Sequence, residues 1–198
     1  MKISLTIKQL IKTGIHIGHQ KNRWNIKMSH NILGIIKDTH ILNLEETIIM
    51  LRITLNILKE IILNRKNILI VNNLKNNNNI QIIKNKYIDV ITNDDWVNGY
   101  LTNKLYIIQK KRIPELIIIY DINNNLYTIK EANQLNIPII AIADSNTDIS
   151  HITYPIPGNN DSIESIELIS NLINNVLMDN ILNEKILFKK NYLFYKLK

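Results

Sequence analysis

Cysteine is absent from the 198 residues, which excludes disulfide scaffolds, thiolate zinc sites and cysteine nucleophiles together. Glycine is scarce, at 5 residues, and none has the spacing of a dinucleotide fingerprint or a P-loop, where glycine lets backbone N–H groups approach phosphate. No apolar run approaches the roughly 18 to 20 residues needed to cross a bilayer. The opening residues lack the apolar core and small-residue cleavage site of a secretory signal, so none is expected. Ser145 does not sit in a G-x-S-x-G turn, which leaves nucleophilic catalysis without support. Acidic residues are missing from the whole stretch before Asp38.

What is present is apolar enough to fold. The hydrophobic fraction is 45%, and a chain of this length fits one domain with or without an appendage. The net charge is +7, unevenly placed. Lys2, Lys8, Lys12, Lys21, Arg23, Lys27 and Lys37 precede the first acid, and Lys185, Lys189, Lys190, Lys196 and Lys198 follow the last, leaving residues 38–184 net acidic. Basic ends on a mildly acidic body suit a polyanion bound through particular surfaces. The skew toward Ile, Asn and Lys follows AT-rich codons and implies an AT-rich genome.

Periodicity alternates helices and strands. A short amphipathic helix is expected at 4–12, and an ordered loop or extended arm at 13–37. A strong helix follows at about 44–64, with Asn43 as its cap and Glu46 in a capping-box position. Strands are expected at 67–71, 87–91, 116–120 and 139–143, with a poor helix at 80–86. Thr128 and Glu131 read as the opening of a helix through about Leu135, and Asp161 and Glu164 as the cap of a last one. Continuously apolar short strands separated by helices indicate a parallel sheet covered on both faces. The expected organisation is an N-terminal helix and basic arm at 1–43, an α/β sandwich at 44–180 and a basic, aromatic tail at 181–198.

Parallel sheets usually bind ligands beyond the carboxyl ends of their strands. Asp121 and Asp144 lie there, where a carboxylate can hold a ribose or metal; equally, each can cap a local turn. His16 and His19 form an H-x-x-H pair, followed by His30 and His40, but two imidazoles with no nearby acid make too small a ligand set for zinc. No metal or cofactor is expected, and no catalytic residue.

The most informative segment is 14–28, where cations, amides, imidazoles and one indole stand on a Gly-punctuated backbone. Lys and Arg suit phosphates, Asn, Gln and His suit sugar and base edges, and Trp24 suits either stacking or a core plug.

These residues resemble the G-[VI]-H-F-G-H-x-x-x-x-W-N-P-K-M signature of the universal small-subunit ribosomal protein two, the S-two family. Three more blocks match in order. Trp96 with Gly99-Tyr100-Leu101-Thr102-Asn103 is similar to W-x-G-G-T-L-T-N; residues 137–146 are similar to I-P-x-x-A-x-x-D-[TS]-N; residues 154–161 are similar to Y-P-I-P-G-N-D-D. The resemblance implies a flavodoxin-like parallel sheet with helices on both faces plus an extended basic N-terminal arm, no catalysis, and a structural place on the small ribosomal subunit. It assigns RNA binding to His16, Gly18, His19, Arg23, Trp24, Asn25, Lys27, Thr102 and Asn103. Lys21, Lys104, Lys110, Lys111 and Arg112 join them on charge alone.

The chain departs from the family in two ways. Only ten residues separate Asn103 from Pro114, so the long helical hairpin of bacterial members is missing. Ile26 replaces a Pro, Asn98 a Gly and Tyr100 a Thr, altering the backbone preferences of both loops.

The leading expectation is therefore an rRNA-binding structural constituent of the small subunit, partnered by small-subunit rRNA and neighbouring ribosomal proteins, with no membrane and no homo-oligomer. Composition and bacterial-type motifs point to an organelle ribosome, a mitochondrion first and a relic plastid second. The rivals are an α/β enzyme holding a nucleotide or phosphorylated metabolite near Asp121 and Asp144, and a free regulatory RNA-binding protein.

Overall fold

The computed structural model describes residues 6–72, 87–92, 96–103 and 113–196, with only the backbone described at 72 and 180–196. The expected helix at 80–86 and the cations Lys104, Lys110, Lys111 and Arg112 lie outside the described residues. In chain order the elements are α1 (Ile7–Lys12), β1 (Ile17–Gln20), β2 (Ile32–Ile36), β3 (Thr39–Leu42), α2 (Leu44–Leu63), β4 (Ile68–Asn72), β5 (Ile88–Thr92), β6 (Leu116–Ile119), α3 (Leu126–Gln134), β7 (Ile139–Ala143), β8 (Tyr154–Pro157) and α4 (Ile163–Lys196). Two 3₁₀ turns, Lys21–Arg23 and Ile26–Asn31, join β1 to β2.

Strands β4 to β8 form one parallel sheet in the order β5-β4-β6-β7-β8. Counted within the sheet this is 2-1-3-4-5, the flavodoxin-like order. All four residues of β6 are buried, and their alternation divides the interior. Leu116 and Ile118 join a core with Leu51, Leu55 and Leu58 of α2 and Ile166, Ile169 and Ile173 of α4. Ile117 and Ile119 face the opposite core with Ile129 and Ala132 of α3. Helices thus cover both faces, as continuous apolar strands require.

Asn43 caps α2 by accepting from Glu45 N at 3.0 Å, with Glu45 and Glu46 in the first turn where the helix dipole favours acids. Thr47 Oγ1 of α2 donates to Pro157 O of β8 at 2.8 Å. Strand β8 contains Pro155 and Pro157 and lies at the edge of the sheet, the position where a missing N–H is tolerated.

Three local features differ from the periodicity. The segment between α1 and α2, read as a loop or extended arm, contains an antiparallel sheet in the order β1-β3-β2. Its β2–β3 hairpin turns on Lys37 (φ 47°) and Asp38 (φ 62°), the paired left-handed residues of a type I′ turn. Helix α3 begins at Leu126, so Thr128 and Glu131 lie inside it and do not cap it. The expected Asp161 and Glu164 cap is also replaced. Ser162 stands at the N-cap, its Oγ accepting from Ser165 N at 3.4 Å. Asn159 Oδ1 holds the preceding turn by accepting from Asp161 N at 2.8 Å and Ser162 N at 3.0 Å, and the helix that follows runs unbroken to Lys196.

Candidate nucleic-acid interface

The basic segment is fastened across the carboxyl ends of β7 and β8. Asn159 N donates to Ile15 O at 3.0 Å, and Ser162 Oγ donates to Thr13 O at 3.1 Å. His19 N donates to Ser145 Oγ at 2.8 Å, and Asn25 N donates to Ser145 O at 2.8 Å. The His19 ring stands between two carboxylates, Nδ1 at 3.3 Å from Asp144 and Nε2 at 3.1 Å from Asp161. Gly18 lies so close to the strand end that a Cβ there would meet Ser145 Oγ at 2.7 Å.

This packing decides what the two strand-end aspartates do. Asp144, fully buried, accepts from Ser145 N through Oδ1 and from Asn160 N through Oδ2 at 3.4 Å. Asp121 Oδ1 accepts from Asn123 N at 3.0 Å and Asn160 Nδ2 at 3.3 Å, and its Oδ2 from Asn124 Nδ2. Both carboxylates are spent on local turns and on Asn160. The chain's own N-terminal segment occupies the carboxyl ends of β7 and β8.

The residues singled out in the sequence divide into inward and outward groups. Gly18 and His19 face the strand ends. His16 accepts from Leu42 N at 2.8 Å through its carbonyl, tying β1 to β3. Asn25 holds the turn that follows, its Oδ1 accepting from Lys27 N at 3.0 Å. Lys21, Arg23, Trp24 and Lys27 are exposed. Two of these cations already hold carboxylates: Lys21 pairs with Asp38 at 2.6 Å, and Lys27 pairs with Asp148 at 2.9 Å and with Ser150 Oγ. Hydrogen bonds from Lys27 and then from Ser150 hold the Asp148 carboxyl down at about 2. Arg23 has no intramolecular partner among the described residues. The indole of Trp24 lies 5.6 Å, centroid to centroid, from the His40 ring.

The second block forms a separate loop, residues 96–103. Gly99 adopts φ 87°, so glycine is needed there even though Asn98 and Tyr100 depart from the family pattern. Glu131 of α3 receives Gly99 N at 2.7 Å and Leu101 N at 2.9 Å on its two carboxylate oxygens. The Trp96 and Tyr100 rings stand 4.8 Å apart. Tyr100 and Leu101 join Met28 and Leu42 in one core, so this loop and the basic segment are anchored to the same face of the sheet. Thr102 is half-buried and Asn103 exposed at its end.

Sequence reasoning assigned no role to His40, Asp38 or Asp148, and it read Glu131 as part of a helix opening instead of a partner of the 96–103 loop. Only His40 carried a local signal, as one more imidazole in the basic segment. Glu131, Asp38 and Asp148 act on partners that spacing does not reveal.

Comparison with known proteins agrees with this geometry. The family model described as Ribosomal protein S2 matches residues 10–113 and 106–179. A small ribosomal subunit protein uS2 from Ehrlichia canis (strain Jake) is 30% identical over 220 positions, covering 88% of this chain and 75% of that protein. The uS2 proteins of a Nitratiruptor species and of Helicobacter acinonychis (strain Sheeba) are 33% and 32% identical, each across 83% of this chain, and across 78% and 85% of their own lengths. An alignment of 220 positions on 88% of 198 residues, about 174, leaves about 46 positions where the Ehrlichia protein has residues that this chain lacks. The matched segments span the basic sheet, the loop at 96–103 and all five parallel strands. The chain belongs to the ribosomal protein S2 family, whose members are ribosomal proteins and not enzymes.

Proposed function

We infer that the chain is a structural constituent of the small ribosomal subunit that binds small-subunit rRNA. The observation that carries this reading is the basic segment held as a pinned sheet, with Lys21, Arg23, Trp24 and Lys27 turned to solvent. Preorganised cations lose little entropy when they meet phosphate. The contacting set comprises His16, Gly18, His19, Lys21, Arg23, Trp24, Asn25, Lys27, Thr102 and Asn103, with Lys104, Lys110, Lys111 and Arg112 continuing it beyond the described residues. Within this set Gly18 and His19 act from beneath, holding the strand that presents the others.

The test is salt dependence. Each phosphate contact adds about −0.7 to −0.9 to the slope of log affinity against log salt. Replacing Lys21, Arg23 and Lys27 by Ala flattens that slope for small-subunit rRNA, and an unaltered slope removes the segment from the interface. Co-sedimentation with small subunits through high-salt sucrose separates a resident constituent from a free regulatory RNA-binding protein. Calorimetry with nucleotides addresses the enzyme reading, which requires a saturable site near Asp121 and Asp144.

The particle is an organelle ribosome, a mitochondrial one in the first instance and a relic plastid one in the second. Support comes from the Ile, Asn and Lys skew and from the bacterial relatives named above. The positions lacking against those relatives support a lost helical hairpin between Asn103 and Pro114. The chain acts as a single copy beside rRNA and neighbouring ribosomal proteins, without membrane attachment. Sequencing the organelle DNA for this reading frame and mapping the assembled particle test both statements.

A further inference from the structure

Trp24 is neither buried nor loose. It is 43% exposed, yet the backbone on both sides of it is fixed: Lys21 N donates to Asp38 O at 2.9 Å, and Asn25 N donates to Ser145 O at 2.8 Å. Against it lies His40, 5% exposed on β3, with no hydrogen-bond partner among the described residues for either ring nitrogen. An imidazole buried without partners on Nδ1 or Nε2 is costly, and its close neighbour is the indole, inclined at 40°.

We propose that Trp24, backed by His40, is a stacking platform for one unpaired nucleobase, with Arg23 and Lys21 meeting the phosphates on either side of it. This rests on the RNA-binding reading above and specifies how part of that surface works. A flat ring with one side against the protein and part of its surface in water suits the π-face of any base, and the adjoining cations suit a polyanion. A core plug would be buried, and a solubilising surface residue would not be Trp on a pinned backbone. An apolar contact with a neighbouring protein is the competing use of the same exposed ring.

The experiment compares full-length protein binding to oligoadenylate and to an abasic ribo-oligonucleotide of equal length. Trp96→Phe leaves Trp24 as the sole indole, because the chain has Trp 2. The expected result is saturable quenching of Trp24 fluorescence by oligoadenylate but not by the abasic chain. Trp24→Ala weakens oligoadenylate binding by about 5- to 150-fold, a larger loss than it causes on the abasic chain, and is partly rescued by Trp24→Phe. His40→Phe, which keeps a flat ring without the two nitrogens, retains affinity, whereas His40→Ala loses it on oligoadenylate alone. Equal quenching by both oligomers, or equal losses on both, overturns the platform. Normal abasic binding with a silent Trp24 also overturns it and assigns the indole to a protein neighbour. If the wild-type chain binds neither oligomer, the RNA-binding reading falls and the platform with it.

Discussion

A methyl group on Gly18 would stand 2.7 Å from Ser145 Oγ and 3.1 Å from both Asp144 Oδ1 and Ser145 Cβ. Ser145 Oγ cannot yield without giving up the bond it accepts from His19 N. Gly18→Ala should therefore cost about 1–3 kcal/mol, read as a shift in the urea midpoint. Gly34 has nothing within 4 Å of its would-be Cβ, and Gly34→Ala should leave the midpoint unchanged or raise it slightly. A Gly18→Ala protein as stable as the wild type would mean that β1 does not sit this close to the strand end. The signature marks Gly18 and not Gly34 without giving the reason; only the fold supplies it, since the obstruction at Gly18 comes from residues more than a hundred positions away.

At the scale of elements, legibility followed the range of the forces. Strands β4, β6 and β7 were readable because burial on both faces writes itself as an unbroken apolar run, whereas β5, an edge strand with Asp89 and Thr92 exposed, showed only its β-forming residues. Strand β8 was visible only as a motif, since Pro155 and Pro157 read against a strand until the edge position is known. Strands β1 and β3 are four residues each, too short and too polar for a period of two to stand out. Strand β2 is the reverse case: Leu33, Ile35 and Ile36 look like core, yet all are exposed, Leu33 at 74%.

Glu131 misled for a related reason. Its place three residues after Thr128 imitates a capping box, but its carboxylate serves N–H groups 30 and 32 residues away. Glu131→Ala leaves Gly99 N and Leu101 N without acceptors and should cost about 1–3 kcal/mol. It should also broaden the amide resonances of 99–101. Unchanged resonances would show that the loop is held by Trp96 and Tyr100 instead.

The Lys27–Asp148 contact is an element-level clip between the turn after β1 and the loop after β7. The Asp148 carboxyl lies at about 2 against an ordinary 3.8. A depressed carboxyl stabilises the fold above its unfolded value and loses that contribution as pH falls toward the folded one. The clip should therefore act fully above about pH 4 and fade between there and about pH 2. Asp148→Asn removes that component of the acid sensitivity, and the difference in midpoint between the two proteins closes as the pH falls. Solvent screens an exposed pair of this kind, so the effect is small. Asp148→Asn also releases Lys27, and the variant should bind non-specific RNA more tightly than the wild type at low salt.

For the whole molecule, the N-terminal segment works as a staple between two cores. Ile15 is fully buried in the core shared by α2 and α4, whereas Met28 and Leu42, 13 and 27 residues further along, are buried in the core on the opposite face. The segment crosses the carboxyl end of the sheet and puts apolar weight on each side. A surface carrying polyanion contacts is thereby made part of the cooperative unit instead of an appendage. Ile15→Ala and Met28→Ala remove buried side chains from different cores and should each cost about 2–5 kcal/mol. Because the cores share the same strands, both variants should unfold in one transition with an unchanged m-value and a lowered midpoint. Amides of His19 and Leu42 should then exchange at the rate of global unfolding. Separate early exchange at those amides, or a pre-transition confined to Met28→Ala, would show the segment opening alone, and RNA would then meet a partner that orders only on binding.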